Sequence, residues 1–309
     1  IRHIRVDDHT NEITFLSPIG CSGVLGFRNG DAQEAAFDNP KGIAAGMYGE
    51  TYVVDAGNLS LRYIGGSEMF DDVPDDVPTN TLHVRTLGGS KTAKHHMHFE
   101  STTAMRKLED AAFYSPYGVT DTKKGHVYIS DNTIGRVYML SQCNKFIQTV
   151  AGKTIHVIKG TIQSYDDAEL FVGPQIDSND LRGLAALPDS SVVVADAWNN
   201  CIWHIQQTQE GDQTPKMTQT GDQTPPTPIM HTVSLFTEAK FDTPTDVCAR
   251  RDGGIFVADN SGIHSIDQDG LVQTLKGILA APTALVELNG NRILYATDSD
   301  FHVTSSTPA

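Results

Sequence analysis

Carboxylates that directly follow short apolar segments are the residues of this chain that most invite a chemical role. In GGIFVADN, Gly253 to Asn260, the run Ile-Phe-Val-Ala ends in Asp259. A carboxylate at the end of a buried strand can act as a general acid or base, or it can bind a metal ion. Four more Asp residues end comparable segments: Asp55, Asp131, Asp196 and Asp298.

The recurrence of this Asp favours a structural role over catalysis. A site needs a catalytic carboxylate once or twice, whereas a turn-closing carboxylate is needed in every copy of a repeat, where its oxygens accept backbone N–H bonds. We therefore predict that all five Asp residues close the turn that follows the second strand of a repeated unit. Functional residues are then expected at positions where the copies differ.

Histidine supplies the other conspicuous candidate for chemistry. His95, His96 and His98 lie close enough in sequence to bring two or three imidazoles to a metal ion. Adjacent side chains of a strand point to opposite faces, however, and no second group of ligands is evident. We expect a solvated loop, keep these histidines as a weak candidate metal site, and predict no cofactor.

The cysteines give no further metal signal. Cys21, Cys143, Cys201 and Cys248 are scattered, with no C-x-x-C spacing, which argues against a zinc cluster and against a small disulfide scaffold. Cys248 stands where other repeats have Ala, so it is expected to be a small core residue. The disulfide state of all four stays open from the sequence.

Composition limits the class of partner. The chain of 309 residues is 39% hydrophobic, enough for a sizeable core, and its 23 Lys and Arg against 38 Asp and Glu give a net charge of −15. An acidic average surface repels a phosphate backbone, so nucleic acid is disfavoured as a partner. No apolar run is long enough to span a membrane and no charged-then-apolar leader opens the chain, so we expect a soluble protein of undetermined compartment.

Self-similarity explains the repeated Asp. Five copies share a small apolar strand, a Gly- or Asp-rich turn, a β-branched or aromatic strand ending in Asp, and a third strand with apolar ends. Several copies add a fourth strand that closes on Gly. Four antiparallel strands per unit without helical periodicity predict an all-β fold, a β-propeller. The predicted blades are residues 22–89, 108–152, 179–236, 239–277 and 281–303.

The residue pattern of the copies resembles that of the NHL-repeat family. Its signals are a Pro-x-Gly-Ile-Ala opening, as at residues 40–44, a Gly-x-Ile-Tyr-Val-x-Asp middle, and an Asn-x-Arg-Ile third strand. The resemblance covers nearly the whole chain and implies a β-propeller fold. It implies little about activity, because propellers carry many unrelated functions.

Two features of the sequence depart from a propeller made only of consecutive four-stranded blades. Insertions are predicted at residues 65–81, 90–107, 153–178 and 206–228, because most repeat spacings exceed about forty residues. Residues 1–20 match a third and a fourth strand, and we predict that they complete the blade begun by 281–303 and so close the ring. One strand is then left over, so six blades stay possible beside the five that can be counted.

The residue after the opening Pro or Leu is expected at one mouth of the central channel. These residues are Lys41, Tyr117, Arg182, Thr245 and Thr283. Propeller enzymes related to the resembled repeat bind zinc or calcium in the channel, but this ring contains no His or carboxylate, although Asp246 is adjacent. Two cations with an aromatic suit a binding surface. Trp198, in the loop after Asp196, is a candidate anchor for the same partner.

The leading hypothesis is a non-enzymatic scaffold that binds a protein or peptide through this mouth and its loops. The candidate partner-binding residues are Lys41, Tyr117, Arg182 and Trp198. A metal-dependent propeller lyase or hydrolase with a channel site is the alternative, so whether the chain is an enzyme stays open, with a non-enzyme favoured. An RNA-binding propeller is a second alternative.

Overall fold

The chain forms a ring of antiparallel sheets. The computed structural model describes residues 1–2, 4–7, 9–21, 23–66, 69, 81–89, 105–141, 145–152, 155–158, 161–164, 175–208, 216–217, 223–278, 281–289 and 292–305. The helices whose bounds the structure gives are two single turns of 3-10 helix, Ala56–Asn58 and Leu108–Asp110. No helix of the described residues is long and apolar enough to cross a membrane.

A short hairpin precedes the first two blades. It contains β1 (Ile4–Val6) and β2 (Ile13–Phe15). Blade 1 contains β3 (Gly30–Asp31), β4 (Pro40–Ala45), β5 (Thr51–Asp55), β6 (Ser60–Gly66) and β7 (Leu82–Gly88). Blade 2 contains β8 (Arg106–Lys107), β9 (Pro116–Asp121), β10 (Val127–Asp131), β11 (Arg136–Leu140) and β12 (Phe146–Gly152). The inner strands of these blades are β4 and β9, each at one edge of its sheet.

Three further blades follow in the chain. A hairpin of β13 (Ile155–Ile158) and β14 (Thr161–Ser164) precedes them. Blade 3 contains β15 (Leu181–Ala186), β16 (Val192–Asp196), β17 (Cys201–Gln207), a small hairpin of β18 (Lys216–Met217) and β19 (Gln223–Thr224), and then β20 (His231–Leu235). Blade 4 contains β21 (Asp246–Ala249), β22 (Ile255–Asp259), β23 (Gly262–Ile266) and β24 (Val272–Thr274). Blade 5 contains β25 (Ala284–Leu288), β26 (Arg292–Ala296) and β27 (Phe301–Ser305).

The core lies between blades. Each second strand of blades 2 to 4 is buried along its whole length, because neighbouring blades cover both of its faces. That burial explains why the sequences of these strands are largely runs of β-branched and aromatic residues without polar alternation. Val54 of blade 1 belongs to the same core cluster as Ile129 of blade 2, and Val257 of blade 4 belongs to the same cluster as Val193 of blade 3. The predicted all-β propeller is therefore confirmed, with five blades.

The N-terminal hairpin differs from its predicted place. β1 and β2 pair with each other as consecutive strands, but they form a sheet of their own and blade 5 has three strands. The hairpin contacts two blades. Arg292 Nη1 of blade 5 donates to Asp7 O and to Asn11 Oδ1, at 3.2 and 2.6 Å, while Ile1 and Ile19 pack on the core of blade 1. Contacts on both sides hold the hairpin between the blades, so it does not extend the edge of β27.

The predicted insertions fall largely outside the described residues. Parts that are described form short strands: β13 and β14 lie within 153–178, and β18 and β19 lie within 206–228. β8, at the end of 90–107, pairs with β12 as an extra outer strand of blade 2. His95, His96, His98 and Cys143 lie outside the described residues. Cys21, Cys201 and Cys248 are free thiols.

In blades 1 to 4, the repeated Asp at the end of the second strand accepts hydrogen bonds from the segment that precedes the first strand of the same blade. Asp55 Oδ1 accepts from Asp38 N at 2.7 Å, and Asp259 Oδ2 accepts from Asp242 N at 2.8 Å. Asp131 accepts from two backbone amides just before β9, and Asp196 accepts from Ser178 Oγ and Trp203 Nε1. Each carboxylate thus fixes the segment that enters its own first strand.

Blades 1 and 4 also add a basic partner from the third strand. Arg62 Nη1 lies 2.7 Å from Asp55 Oδ2, with both side chains fully buried, and its guanidinium also lies over the rings of Phe27 and Phe37. His264 Nε2 lies 3.0 Å from Asp259 Oδ1. Burial raises the pKa of Asp259, but the hydrogen bonds from His264, Asp242 N and Ser261 outweigh it and bring the pKa to about 2.

Asp298 does not belong to this set. Thr245 N donates to Ala258 O in blade 4, and the same bond in blade 5 joins Thr283 N to Ala296 O. The residue after Ala296 is Thr297, so Thr297 occupies the position of Asp259. Asp298 is exposed and lies on the channel wall. The prediction that Asp298 closes this turn is wrong, because the strand register places it one residue too late.

Replacing Asp55 by Asn should lower the free energy of unfolding by about 3–5 kcal/mol, because Arg62 would remain buried and charged without its carboxylate. Urea denaturation followed by tryptophan fluorescence measures the change. The matched control is Asp298→Asn, which removes an exposed carboxylate and should change the free energy by less than about 0.5 kcal/mol. Equal stabilities of the two variants would contradict the assignment.

Candidate functional site

A channel is lined by the inner strands of all five blades. Its cavity has a volume of about 1030 Å³ and is bordered by β4, β9, β15, β21 and β25. Each of these strands begins at the end where the repeated Asp lies, because Pro40 pairs with Asp55 and Leu181 pairs with Asp196. The residues that follow these strand starts therefore stand at one mouth of the channel, which we call the Asp-side mouth.

Three of the predicted ring residues meet at the Asp-side mouth. Lys41 Nζ lies 5.6 Å from the ring centroid of Tyr117, within cation–π distance. Arg182 donates from Nε and Nη2 to the two oxygens of Asp180, at 2.9 and 2.8 Å. Burial raises the pKa of Tyr117, with nearby Arg182 opposing the shift. Lys41 forms no ion pair with any residue that the structure describes.

The two threonines of the ring have structural partners. Thr245 Oγ1 donates to Pro282 O at 2.9 Å, which links blade 4 to blade 5. Thr283 Oγ1 donates to Ala296 O within blade 5, at 3.4 Å. Their hydroxyl protons are thus already used in hydrogen bonds, and the binding chemistry of this mouth rests on Lys41, Tyr117 and Arg182.

Trp198 lies on the same face of the propeller. It stands two residues beyond Asp196, in the loop at the end of blade 3 where β15 begins. Its side chain is 63% exposed, although large aromatic residues usually bury most of their surface. An exposed Trp on the loops of a rigid scaffold is typical of a partner contact.

Asp246 is a channel residue whose raised pKa could not be predicted from the sequence. Its Oδ2 accepts from Leu285 N at 2.9 Å, and its side chain occupies the space next to Gly183. Burial raises its pKa to about 7, with the backbone bonds opposing the shift. The available signal was positional, because blades 1 to 3 have Gly42, Gly118 and Gly183 where blade 4 has this carboxylate.

A second carboxylate with a raised pKa lies toward the opposite end of the channel. Asp121 Oδ2 accepts from Met47 N of blade 1 at 3.0 Å, and Asp121 Oδ1 is buried without a hydrogen-bond partner among the described residues. Burial raises the pKa of Asp121 to about 6, and the charge of Glu50 adds to the shift. Sequence analysis did not single out this residue.

The described part of the chain offers no assembled metal site. It contains no group of three or more His, Cys, Asp or Glu side chains placed to hold one ion. Cys248 lines the channel, but burial raises the pKa of its thiol to about 12, which keeps it protonated near neutral pH. The cavity therefore offers acid–base groups and a cationic mouth, and its described residues assemble no group of three metal ligands.

Comparison with known proteins identifies a fold and no family. No known family profile and no curated protein sequence matches the chain. A structure assigned as a gluconolactonase is 13% identical with a TM-score of 0.52, covering 87% of this chain and 75% of that one. A chain of a nidogen/laminin complex is 11% identical with a TM-score of 0.50, covering 95% and 80%. A streptogramin B lyase is 11% identical with a TM-score of 0.49, covering 97% and 78%.

These identities are too low to carry activity from one chain to another. The first two likenesses support the β-propeller architecture, which many unrelated functions share.

The contribution of Asp246 to stability should fall as pH rises between about 4 and 7, and it is read as the difference between the parent chain and an Asp246 variant, because burial lowers the pKa of His231 to about 4 and gives a contribution of opposite sign. Asp246 binds its proton more tightly in the folded chain than in the unfolded chain, so the folded state holds more protons in this window and loses stability as they dissociate. Thermal unfolding from pH 4 to 8 measures the trend. The Asp246→Asn variant should show a shallower decline, and an identical pH profile in this variant would contradict the assignment.

Proposed function

We propose that this chain is an NHL-type β-propeller that binds a protein or peptide at the Asp-side mouth. The observation that carries the proposal is the convergence of Lys41, Tyr117 and Arg182, which come from three different blades. Side chains that are far apart in sequence and meet at the mouth of a rigid channel favour recognition of a ligand.

The chemistry of this mouth favours a carboxylate-bearing ligand. The Lys41 ammonium has no carboxylate partner in the described structure, while Arg182 is held in a fixed orientation by Asp180. A ligand carboxylate could accept from Lys41 and from the guanidinium protons of Arg182 that Asp180 leaves unused. Trp198, on the same face, supplies an apolar surface for a side chain next to that carboxylate.

Removing the cation should weaken binding. Peptides selected from a displayed random library on the purified chain should be enriched in Asp and Glu, and Lys41→Ala should reduce their affinity by about tenfold, or about 1.4 kcal/mol. Fluorescence anisotropy measures the affinity. The matched control is Lys123→Ala, which removes an exposed lysine from the turn between β9 and β10 at the opposite end of the channel.

A combined variant sharpens the test. Changing Lys41, Tyr117, Arg182 and Trp198 all to Ala should abolish binding of the selected peptides if circular dichroism shows an unchanged fold. Full affinity in this variant would rule out the Asp-side mouth as the binding surface.

A lyase or hydrolase in the same channel is the second candidate, favoured by one observation. Asp246 faces the cavity with a pKa of about 7, as a general acid or base requires. The described residues do not fit a bound metal, because they assemble no three-ligand group. Hydrolysis of a lactone panel that Asp246→Asn abolishes would support this candidate, and elemental analysis of the purified protein would test for zinc and calcium.

A further inference from the structure

A carboxylate lies just inside the Asp-side mouth. Asp246 follows Thr245 of the mouth ring and lines the channel. Its Oδ1 occupies the place that a Cβ on Gly183 would take, so the carboxylate rests against the backbone of β15. Gly183 directly follows Arg182, and successive strand residues rise by about 3.3 Å. The carboxylate of Asp246 therefore lies about one residue deeper in the channel than the backbone that carries Arg182.

Tyr117 lies within electrostatic reach of charges of both signs. Lys41 Nζ is 5.6 Å from the centroid of its ring. Burial raises the pKa of Tyr117, while the charge of Arg182 opposes this shift and the charge of Asp246 adds to it. Two cations and one carboxylate, contributed by blades 1, 3 and 4, thus surround a single side chain of blade 2.

Two of these opposite charges have no ionic partner in the described part of the chain. Lys41 forms no ion pair there, and Asp246 accepts only from backbone amides, those of Leu285 at 2.9 Å and of Val247. Backbone N–H groups stabilise a carboxylate without neutralising its charge. A buried carboxylate without a cation costs free energy, so a cationic group of a ligand would be stabilised beside Asp246.

The surroundings of Asp246 suit an ammonium better than a metal ion. A metal ion needs several converging ligands, and the described residues assemble no group of three. An ammonium has three N–H donors and can be held by one carboxylate together with neutral acceptors. The ring of Tyr117 also attracts a cation, as its contact with Lys41 shows.

We propose that the ligand of the Asp-side mouth presents an ammonium beside a carboxylate, as the free N-terminal Asp or Glu of a peptide does. The ammonium binds Asp246 inside the channel, and the carboxylate binds Lys41 and Arg182 at the rim. A chain end fits this arrangement, because the end of a peptide reaches a group inside a channel more readily than its middle. The inference rests on the carboxylate-binding function proposed above and adds the class of ligand.

The probe is a short synthetic peptide that begins with Glu, continues with Ala and Gly, and carries an uncharged dye on its amidated C-terminus. An acetylated form of the same peptide loses the ammonium and keeps the carboxylate. In fluorescence anisotropy with the full chain at pH 7, the free form should bind at least about tenfold more tightly than the acetylated form. The reason is that a charge-assisted hydrogen bond to Asp246 is then replaced by a neutral amide.

Three variants assign the two charges. Asp246→Asn should weaken only the free form and bring the affinity ratio of the two forms below about threefold. Lys41→Ala should weaken both forms and preserve the ratio, because both keep the carboxylate. The matched control is Asp298→Asn, which removes an exposed carboxylate of the channel wall and should leave the ratio unchanged. Urea midpoints near that of the parent chain show that the variants fold.

Competition identifies the source of the ammonium. Free glutamate that displaces the probe as well as the unlabelled peptide does would identify an amino acid as the ligand, and weaker displacement would identify a peptide terminus. Both carry the proposed pair of charges.

The Asp246→Asn variant also shows whether a cation of the chain itself already pairs with Asp246. Without such a cation, the urea midpoint of the parent chain minus that of the variant should fall between pH 5 and 8, because the folded chain loses the proton of Asp246 as pH rises through about 7. A difference that stays constant or rises would show an internal ion pair and overturn the inference. The difference cancels the titration of the other charged or ionisable groups nearby, which are Tyr117, Arg182, Cys248, Asp180 and Glu287.

The inference is equally overturned if the free and acetylated probes bind with the same affinity, if neither binds, or if Asp298→Asn lowers the ratio as much as Asp246→Asn does. Equal binding that Lys41→Ala weakens would leave the proposed function standing, so the two failures are distinguishable.

Discussion

The bond between the Asp that ends a second strand and the segment that enters the first strand is the interaction on which this propeller depends. In blades 1, 2 and 4 the carboxylate accepts from a backbone amide 16 or 17 residues earlier in the chain. It satisfies amides that no strand partner reaches, and it fixes where the inner strand begins. The mouth residue follows two or three positions later, so the same bond sets where Lys41, Tyr117 and Thr245 stand.

Blade packing then decides which inner-strand residues are free for function. Apolar residues of blades 1 to 5 are buried between successive blades, and hydrogen bonds such as Thr245 Oγ1 to Pro282 O link the blades. Lys41 and Ile43 are both exposed residues of β4, and Lys41 lies over the ring of Tyr117 in the next blade.

Where sequence and structure agree, the signal was local and repeated. Apolar runs ending in Asp predicted the second strands, and their recurrence predicted blades and a shared role for Asp55, Asp131, Asp196 and Asp259. Where the prediction and the structure differ, a long-range contact determines the position of the residue or strand. Asp298 matched the pattern by residue type, but pairing of Leu285 with Tyr295 shifts the register and gives its position to Thr297. The N-terminal hairpin matched outer strands, but contacts with two blades hold it between them.

The sequence by itself determined the all-β class, the number of countable blades, and the residues that enter the Asp-side mouth, because hydrophobic period and turn chemistry are properties of short segments. Only the tertiary structure decided the ionisation of Asp246 and Asp121, since burial by neighbouring blades raises both pKa values. It alone decided the burial of inner-strand residues as well. Ile43 and Val119 are equally apolar in the sequence, but Val119 is buried against blade 1 whereas Ile43 is 55% exposed.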